Sequence, residues 1–182
     1  MIPVEYLWIT LIGVFGIVGM VRGLWKELGV TTILLLSLFA LKFGWDKIGA
    51  KVASVIPGKL PDATVEALYY IIPILVISYI SYEGFTLKFP IREMKGIAKG
   101  LFGLPGGLLN GYLIIGTIWD VTNQAKYFGW KVPLGSAGQT IAISDSLTHL
   151  NSTLVQFLPV TFVNEFVMLA LGMILLLAIL LK

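Results

Sequence analysis

Residues 6–45 read YLWITLIGVFGIVGMVRGLWKELGVTTILLLSLFALKFGW, two apolar runs separated by one short charged connection. The runs cover about residues 6–21 and 28–45, and a helix needs about 20 predominantly apolar residues to cross a bilayer. The connection contains Arg22, Lys26 and Glu27. Lys42 lies close enough to the end of the second run to extend its ammonium group towards water. This stretch therefore predicts two consecutive transmembrane helices.

The whole chain shares this apolar character. Of its 182 residues, 57% are hydrophobic and 13% are charged, and the mean hydropathy is +0.91. Soluble domains contain roughly 45–50% apolar and about 25% charged residues, so a soluble globule could not cover its surface with so few charges. The sequence predicts an all-α integral membrane protein, a single domain over residues 1–182. We expect four to five transmembrane helices plus one amphipathic interfacial helix.

Three more apolar runs follow, at about residues 67–85, 100–119 and 160–181. Pro73 predicts a kink in the first of these. Over about residues 139–158, apolar residues recur every three or four positions opposite a polar face. This segment predicts a helix that lies in the membrane interface or packs across the mouth of the bundle. The tryptophans predict an aromatic belt at the headgroups, because all five lie at the ends of apolar runs: Trp8, Trp25, Trp45, Trp119 and Trp130.

The basic residues give an expected orientation. Five crossings place the short connections 22–27 and 88–99 on the same side, and both are rich in lysine and arginine. Short basic connections stay in the cytoplasm, so we expect the N-terminus outside and the C-terminus inside. The pI is about 9.1, but the basic residues are scattered at the ends of apolar runs. They suit anionic headgroups, and we expect no nucleic acid as a partner.

The composition excludes several kinds of chemistry. The chain has no cysteine and one histidine, His149, which excludes disulfides, thiolate metal sites and multi-histidine zinc or haem sites within one chain. No P-loop, dinucleotide fingerprint, zinc-protease motif or nucleophile elbow occurs. We therefore expect no enzymatic activity, no cofactor and no bound metal.

The acidic residues near the apolar runs lie at the ends of those runs, so we expect solvated caps or ion pairs. They are Asp120, Glu83, Glu93 and Glu165. An ion- or proton-coupled transporter needs a charge inside the membrane. The sequence offers no such charge, so this class ranks last.

The fourth run is the most glycine-rich part of the chain, with small residues four apart at Gly96/Gly100, Gly103/Gly107 and Gly107/Gly111. Such spacing lets helices approach closely, and a polar side chain can bond across the contact. A second interpretation is a helix that lines a pore or a moving interface and hinges at a proline. The candidates for either role are Gly100, Gly103, Pro105, Gly107, Asn110 and Gly111.

The end of the first run also has two interpretations. Gly19 and Gly23 are four apart, and Arg22, Lys26 and Glu27 follow directly. These charged residues suit an ordinary interfacial anchor. Alternatively, they form a functional ion pair or a lipid-headgroup site.

Two stretches resemble the colicin V production protein (CvpA) family over roughly residues 5–120. The first stretch begins with Glu5-Tyr6, continues through an apolar helix, and ends with Arg22-Gly23-x-x-Lys26-Glu27, which leads into a second helix. The second stretch is glycine-rich and runs from Gly103 through Asn110 to Gly111. The family usually has Asp at position 5, and it has an Asp-Arg pair and another arginine around the glycine-rich stretch, where Lys99-Gly100 and Asn110 stand here. It is usually four-helical, whereas this chain adds a fifth run.

The resemblance implies a multi-pass protein of the bacterial cytoplasmic (inner) membrane. It implies a role in colicin V production, a form of toxin biosynthesis and export, or in envelope homeostasis, without a defined reaction. Its partners would be the lipid bilayer and further copies of itself, in a homo-oligomer that could form a channel. The alternative is a structural accessory subunit that docks on other membrane subunits and has no catalytic role.

Overall fold

The computed structural model describes residues 4–55, 61–84, 87, 95–134, 139–142 and 154–181. These residues form a helix bundle, which confirms the all-α membrane class. Four helical segments are long and apolar enough to cross a membrane: Glu5–Arg22, Leu24–Val52, Asp62–Glu83 and Ile97–Gln124.

The first two helices meet at a one-residue corner. Helix α1 (Val4–Arg22) and helix α2 (Leu24–Val55) are joined by Gly23, whose φ of +90° favours glycine. Helix α2 has 32 residues, or about 48 Å at 1.5 Å per residue. It extends to Val55 rather than ending near Trp45, so the predicted boundary was too early. A helix can continue past the apolar run because water satisfies its exposed polar groups.

Neither proline inside a helix ends it. Helix α3 (Asp62–Glu83) continues through Pro73, and helix α4 (Ile97–Gly111) continues through Pro105. A π-helical turn, Tyr112–Gly116, then leads into helix α5 (Thr117–Gln124). The irregular turn of the fourth spanning segment therefore follows the glycine-rich stretch and does not lie at Pro105. Turns of this kind insert into α-helices as single-turn bulges.

A short hairpin follows the fourth spanning segment. After a 3₁₀ turn at Lys126–Gly129, strand β1 (Lys131–Leu134) pairs antiparallel with strand β2 (Gln139–Ala142). The amphipathic helix predicted from about residue 139 therefore does not begin there. Val132 lies opposite Ile141, and such β-branched pairs favour strands. The rest of that predicted helix up to 153, including His149, lies outside the described residues.

The C-terminal part consists of a 3₁₀ turn (Val155–Phe157), the one-turn helix α6 (Pro159–Phe162) and helix α7 (Glu165–Leu180). Helix α7 has 16 residues, or about 24 Å, and is not among the four long spans. It packs antiparallel to α2, because Gly172 meets Leu36 and Glu165 lies beside Lys42. The fifth predicted run is therefore helical but short.

Successive long helices run in alternate directions, so the bundle has two ends. One is called here the Arg22 end, where α1 and α3 finish and α2 and α4 begin. The other, the Asp120 end, holds the start of α1 and the finish of α5. Trp119, at the Asp120 end, is 2% exposed and stacks on Trp8 with ring centroids 6.4 Å apart. The predicted aromatic belt is therefore wrong for Trp119, which lies inside the bundle.

Candidate functional site: a buried polar network

The close contact of α1 with α4 is made by glycines. A Cβ added at Gly107 would lie 2.8 Å from the Cα of Gly19, and one at Gly103 would lie 3.0 Å from the Cα of Gly23. A Cβ at Gly111 would lie 2.8 Å from the Cβ of Phe15. At these three positions α1 and α4 approach each other as closely as glycine allows, which is the geometry that the helix-packing interpretation expects.

The other interpretation, a helix lining a pore, does not hold for the same three glycines because α1 covers them. Gly100 is less constrained, since the nearest atom to an added Cβ there is the Met20 carbonyl oxygen at 3.8 Å. Pro105 is exposed on the other side of α4. It takes no part in the contact with α1.

Glycine also brings α4 close to α2. A Cβ at Gly106 would lie 2.9 Å from the Cβ of Glu27. One turn further along α4, Asn110 meets the first turns of α2. Both Glu27 and Asn110 are 0% exposed, so the two polar side chains meet inside the protein.

The Glu27 carboxylate accepts hydrogen bonds from three helices. Arg22 Nε, at the end of α1, donates to Oε1 at 2.9 Å. Asn110 Nδ2, from α4, donates to Oε2 at 2.8 Å. Tyr82 Oη, from α3, donates to the same oxygen at 2.9 Å. One carboxylate on α2 therefore joins α1, α3 and α4.

Further bonds hold the donors in place. Asn110 Nδ2 also lies 3.0 Å from the Glu27 carbonyl oxygen. Thr31 Oγ1 lies 2.7 Å from Asn110 Oδ1 and 2.9 Å from that carbonyl. Arg22 Nη1 donates to the Tyr82 carbonyl at 2.9 Å, and its guanidinium carbon lies 4.6 Å from the Tyr82 ring centroid. We call these five residues, Arg22, Glu27, Thr31, Tyr82 and Asn110, the Glu27 network.

This network distinguishes the two interpretations of the corner. Arg22 and Glu27 form an ion pair in which Glu27 is 0% exposed and the Arg22 side chain 21%, whereas Lys26 is exposed. The charge of Glu27 lies inside the bundle at its Arg22 end, in the first turn of α2. The burial of Glu27 could not be predicted from its position at the end of an apolar run, because it depends on neighbours from three other helices. Since both carboxylate oxygens accept hydrogen bonds, the arrangement suits a lock between helices.

A second buried carboxylate lies at the Asp120 end. Asp120 is 0% exposed, so of the two expectations for it, a solvated cap or an ion pair, the solvated cap was wrong. Its Oδ2 accepts from the Thr161 backbone N–H at 2.8 Å, and its Oδ1 from Thr161 Oγ1 and Gln124 Nε2, each at 2.9 Å. The other acids fit their predictions where described: Glu83 is exposed and Glu165 lies 3.7 Å from Lys42 Nζ. Glu93 lies outside the described residues.

Two charged side chains bind the backbone of the one-turn helix α6. Asp120 accepts from the Thr161 N–H at 2.8 Å. Lys42 Nζ donates to the carbonyl oxygens of Val160 at 2.9 Å and Val163 at 3.2 Å. The lysine that the sequence placed at a membrane edge thus fixes α6 to α2.

The Asp120 end holds further buried polar groups. Glu5 is 0% exposed and Tyr127 is 3% exposed. Burial raises the pKa of the Tyr127 phenol above its ordinary value, while the nearby indoles of Trp8 and Trp119 lower it slightly and the Glu5 charge raises it. Tyr127 reaches this position from a turn of left-handed residues, with φ of 52° at Tyr127 itself. Such a conformation persists only where the surroundings enforce it.

A cavity of about 560 Å³ opens at the same end, lined by Trp45, Asp46, Gly49, Ala50, Ser54, Asp62 and Glu66. Its lining is acidic. Among the residues that the structure describes, no group of three or more His, Cys, Asp or Glu side chains is placed to hold a metal ion.

Comparisons of the chain with protein-family models, curated proteins and solved structures find no match. The sequence pointed to three members of the Glu27 network: Arg22 and Glu27 at the end of the first run, and Asn110 in the glycine-rich run. It did not find their contact, nor the parts played by Thr31 and Tyr82. The signal for these two was weak, because single hydroxyl groups in apolar helices commonly bond to their own backbone.

Proposed function

We propose that the chain is a CvpA-like multi-pass protein of a bacterial cytoplasmic membrane. It acts in colicin V production and export or in envelope homeostasis, without catalysing a reaction. The observation that supports this proposal is the contact between Asn110 and Glu27, 2.8 Å from nitrogen to oxygen. It joins the two stretches that carry the resemblance.

The use of the glycines limits how copies could assemble. Gly103, Gly107 and Gly111 pack against α1 of their own chain, so contacts between copies would have to use other surfaces. Helix α3 offers one, because Ile72, Val76 and Tyr79 are 58%, 52% and 70% exposed. A channel would then form between several copies.

Native mass determination tests the assembly. The protein is extracted from its membrane in a mild detergent, and every chain that copurifies is identified. A homogeneous assembly of this chain alone is the expected result. Stoichiometric recovery with other membrane subunits would instead support the accessory-subunit role, which the exposed apolar faces also fit.

Complementation tests the cellular role. A strain that lacks the gene should lose colicin V yield or envelope integrity, and the wild-type gene should restore it. Asn110→Leu should fail to restore it, because the variant cannot bond to Glu27. Gly100→Ala is the matched control on the same helix and should restore it. An unaltered phenotype in the deletion strain contradicts the proposal.

A further inference from the structure

The motif Arg22-Gly23-x-x-Lys26-Glu27 lies at the corner between α1 and α2, and the fold explains each of its named residues except Lys26. Arg22 forms an ion pair with the buried carboxylate of Glu27. Gly23 makes the corner with its φ of +90°. Lys26 lies in the first turn of α2 with its side chain exposed, so its conspicuous charge needs another explanation.

A second lysine is fixed at the same corner. A Cβ at Gly23 would lie 3.0 Å from Cγ and 3.2 Å from Cε of Lys99. The aliphatic stem of Lys99, from the first turn of α4, therefore rests on Gly23. Lys95 is exposed just before α4. Three ammonium groups thus lie at the Arg22 end, on the connections into α2 and α4.

The surface beside these lysines is apolar. Ile97 is 90% exposed, Val21 70% and Leu101 64%. Exposed apolar side chains close to lysines at helix ends are typical of the boundary between acyl chains and headgroups, where lysine buries its stem and keeps its charge in the polar layer. The geometry therefore fits a lipid molecule with its acyl chains beside the helices.

Among the described residues at this corner, the exposed or half-exposed lysines Lys26, Lys95 and Lys99 outnumber the exposed carboxylates. Glu27 is 0% exposed and paired with Arg22, and Glu83 is the exposed carboxylate among the described residues at this end. At the other end, three carboxylates, Asp46, Asp62 and Glu66, line the cavity beside the exposed lysines Lys47 and Lys51. An anionic partner is therefore attracted to the Arg22 end.

We infer that Lys26, Lys95 and Lys99 form a binding site for the phosphate of an anionic phospholipid headgroup. A lysine near an anionic membrane surface contributes about 1 kcal/mol, which corresponds to about a fivefold change in affinity. This inference depends on the membrane insertion of the helices and not on the proposed role in export or envelope homeostasis.

The test uses the full chain in detergent micelles, with phosphatidylglycerol or phosphatidylcholine added and bound lipid counted by native mass spectrometry. Wild-type protein should retain phosphatidylglycerol in preference to phosphatidylcholine. The double variant Lys26→Gln/Lys99→Gln should bind phosphatidylglycerol more weakly, by about fivefold for each lysine removed. Its unfolding temperature in phosphatidylcholine should match that of the wild type.

The matched control is Lys47→Gln/Lys51→Gln, which removes two exposed lysines from the other end of α2. It should leave phosphatidylglycerol binding unchanged. Equal binding of the two lipids, or an equal loss in both double variants, overturns the inference. Displacement of the lipid by millimolar inorganic phosphate would indicate a site for the free anion and would also overturn it.

Discussion

The side-chain amide of Asn110 donates to the carboxylate of Glu27 across 2.8 Å, although 83 positions separate the two residues. Glycine at positions 103, 106 and 107 makes this possible, because larger side chains there would push α4 away from α1 and α2. Glu27 also binds Arg22 and Tyr82. The close glycine packing and the Glu27 network are therefore parts of one arrangement.

The ion pair between Arg22 and Glu27 is expected to show strong coupling. Glu27→Leu removes the carboxylate that accepts from Arg22 Nε, Asn110 Nδ2 and Tyr82 Oη. Removing one partner of a buried pair typically costs about 3–5 kcal/mol, so the free energy of unfolding should fall by about that amount. The double variant Arg22→Met/Glu27→Leu should lose much less than the sum of the single variants. Equilibrium unfolding in mixed micelles measures this, and additive losses would contradict the pairing.

The close contact between α1 and α4 predicts that an alanine in place of a contact glycine destabilises the protein. Gly107→Ala places a Cβ 2.8 Å from the Cα of Gly19, and overpacking of this kind costs about 1–3 kcal/mol. Gly13→Ala is the control, since no atom lies within 4 Å of an added Cβ there. Unfolding measurements should show a clear loss for the first variant and almost none for the second. Equal stability of the two would contradict the close approach of the helices.

Loss of the Asp120 carboxylate should loosen α6. Asp120→Ala leaves the Thr161 backbone N–H without the acceptor it has in the structure. The chain has no cysteine, so one can be introduced as Leu158→Cys, directly before α6. Leu158 is 4% exposed, so the rate at which a thiol reagent labels this cysteine measures how often α6 moves away from the bundle. Labelling should accelerate severalfold in Asp120→Ala. Gln124→Ala, which removes a lesser partner of Asp120, should change the rate little. An unchanged rate in both contradicts the anchoring role.

Tyr127 predicts a dependence of stability on alkaline pH. Burial raises the pKa of its phenol in the folded protein above the ordinary value of about 10, so the unfolded chain releases the proton first as pH rises. The contribution of the Tyr127 phenol to the free energy of unfolding is therefore fully present below about pH 10 and is lost as the pH rises above it. The free energy of unfolding should fall more steeply above this pH for the wild type than for Tyr127→Phe. Parallel curves would show that the phenol is not buried.

The orientation expected from the basic connections, with the N-terminus outside, predicts the accessibility of two single cysteines. Ala50→Cys, exposed beyond the apolar part of α2, should react with an impermeant thiol reagent from outside the cell. Lys95→Cys, at the Arg22 end, should react only after the membrane is opened, because basic short connections stay in the cytoplasm. Labelling with the opposite pattern would reverse the orientation.

The sequence by itself determined the class of the protein and most of its spans. Long apolar runs with charges at their ends have few alternatives to membrane helices, since the backbone of each helix satisfies its own hydrogen bonds in lipid. The glycine spacing and Asn110 also identified the packing face of α4. Local pattern failed where a neighbour decided the structure, as at Gln139–Ala142, which pairs with β1.

Only the tertiary structure decided which charges are buried. Glu27 and Asp120 lie at the ends of apolar runs, where the sequence leaves open an interfacial anchor or an ion pair for the first and a solvated cap or an ion pair for the second. Both are 0% exposed. Arg22, Tyr82 and Asn110 cover the first, and Thr161 and Gln124 bind the second. A charge is stable inside a protein only when partners replace its water. These partners come from distant parts of the chain and meet only in the folded protein, so a local sequence pattern does not reveal them.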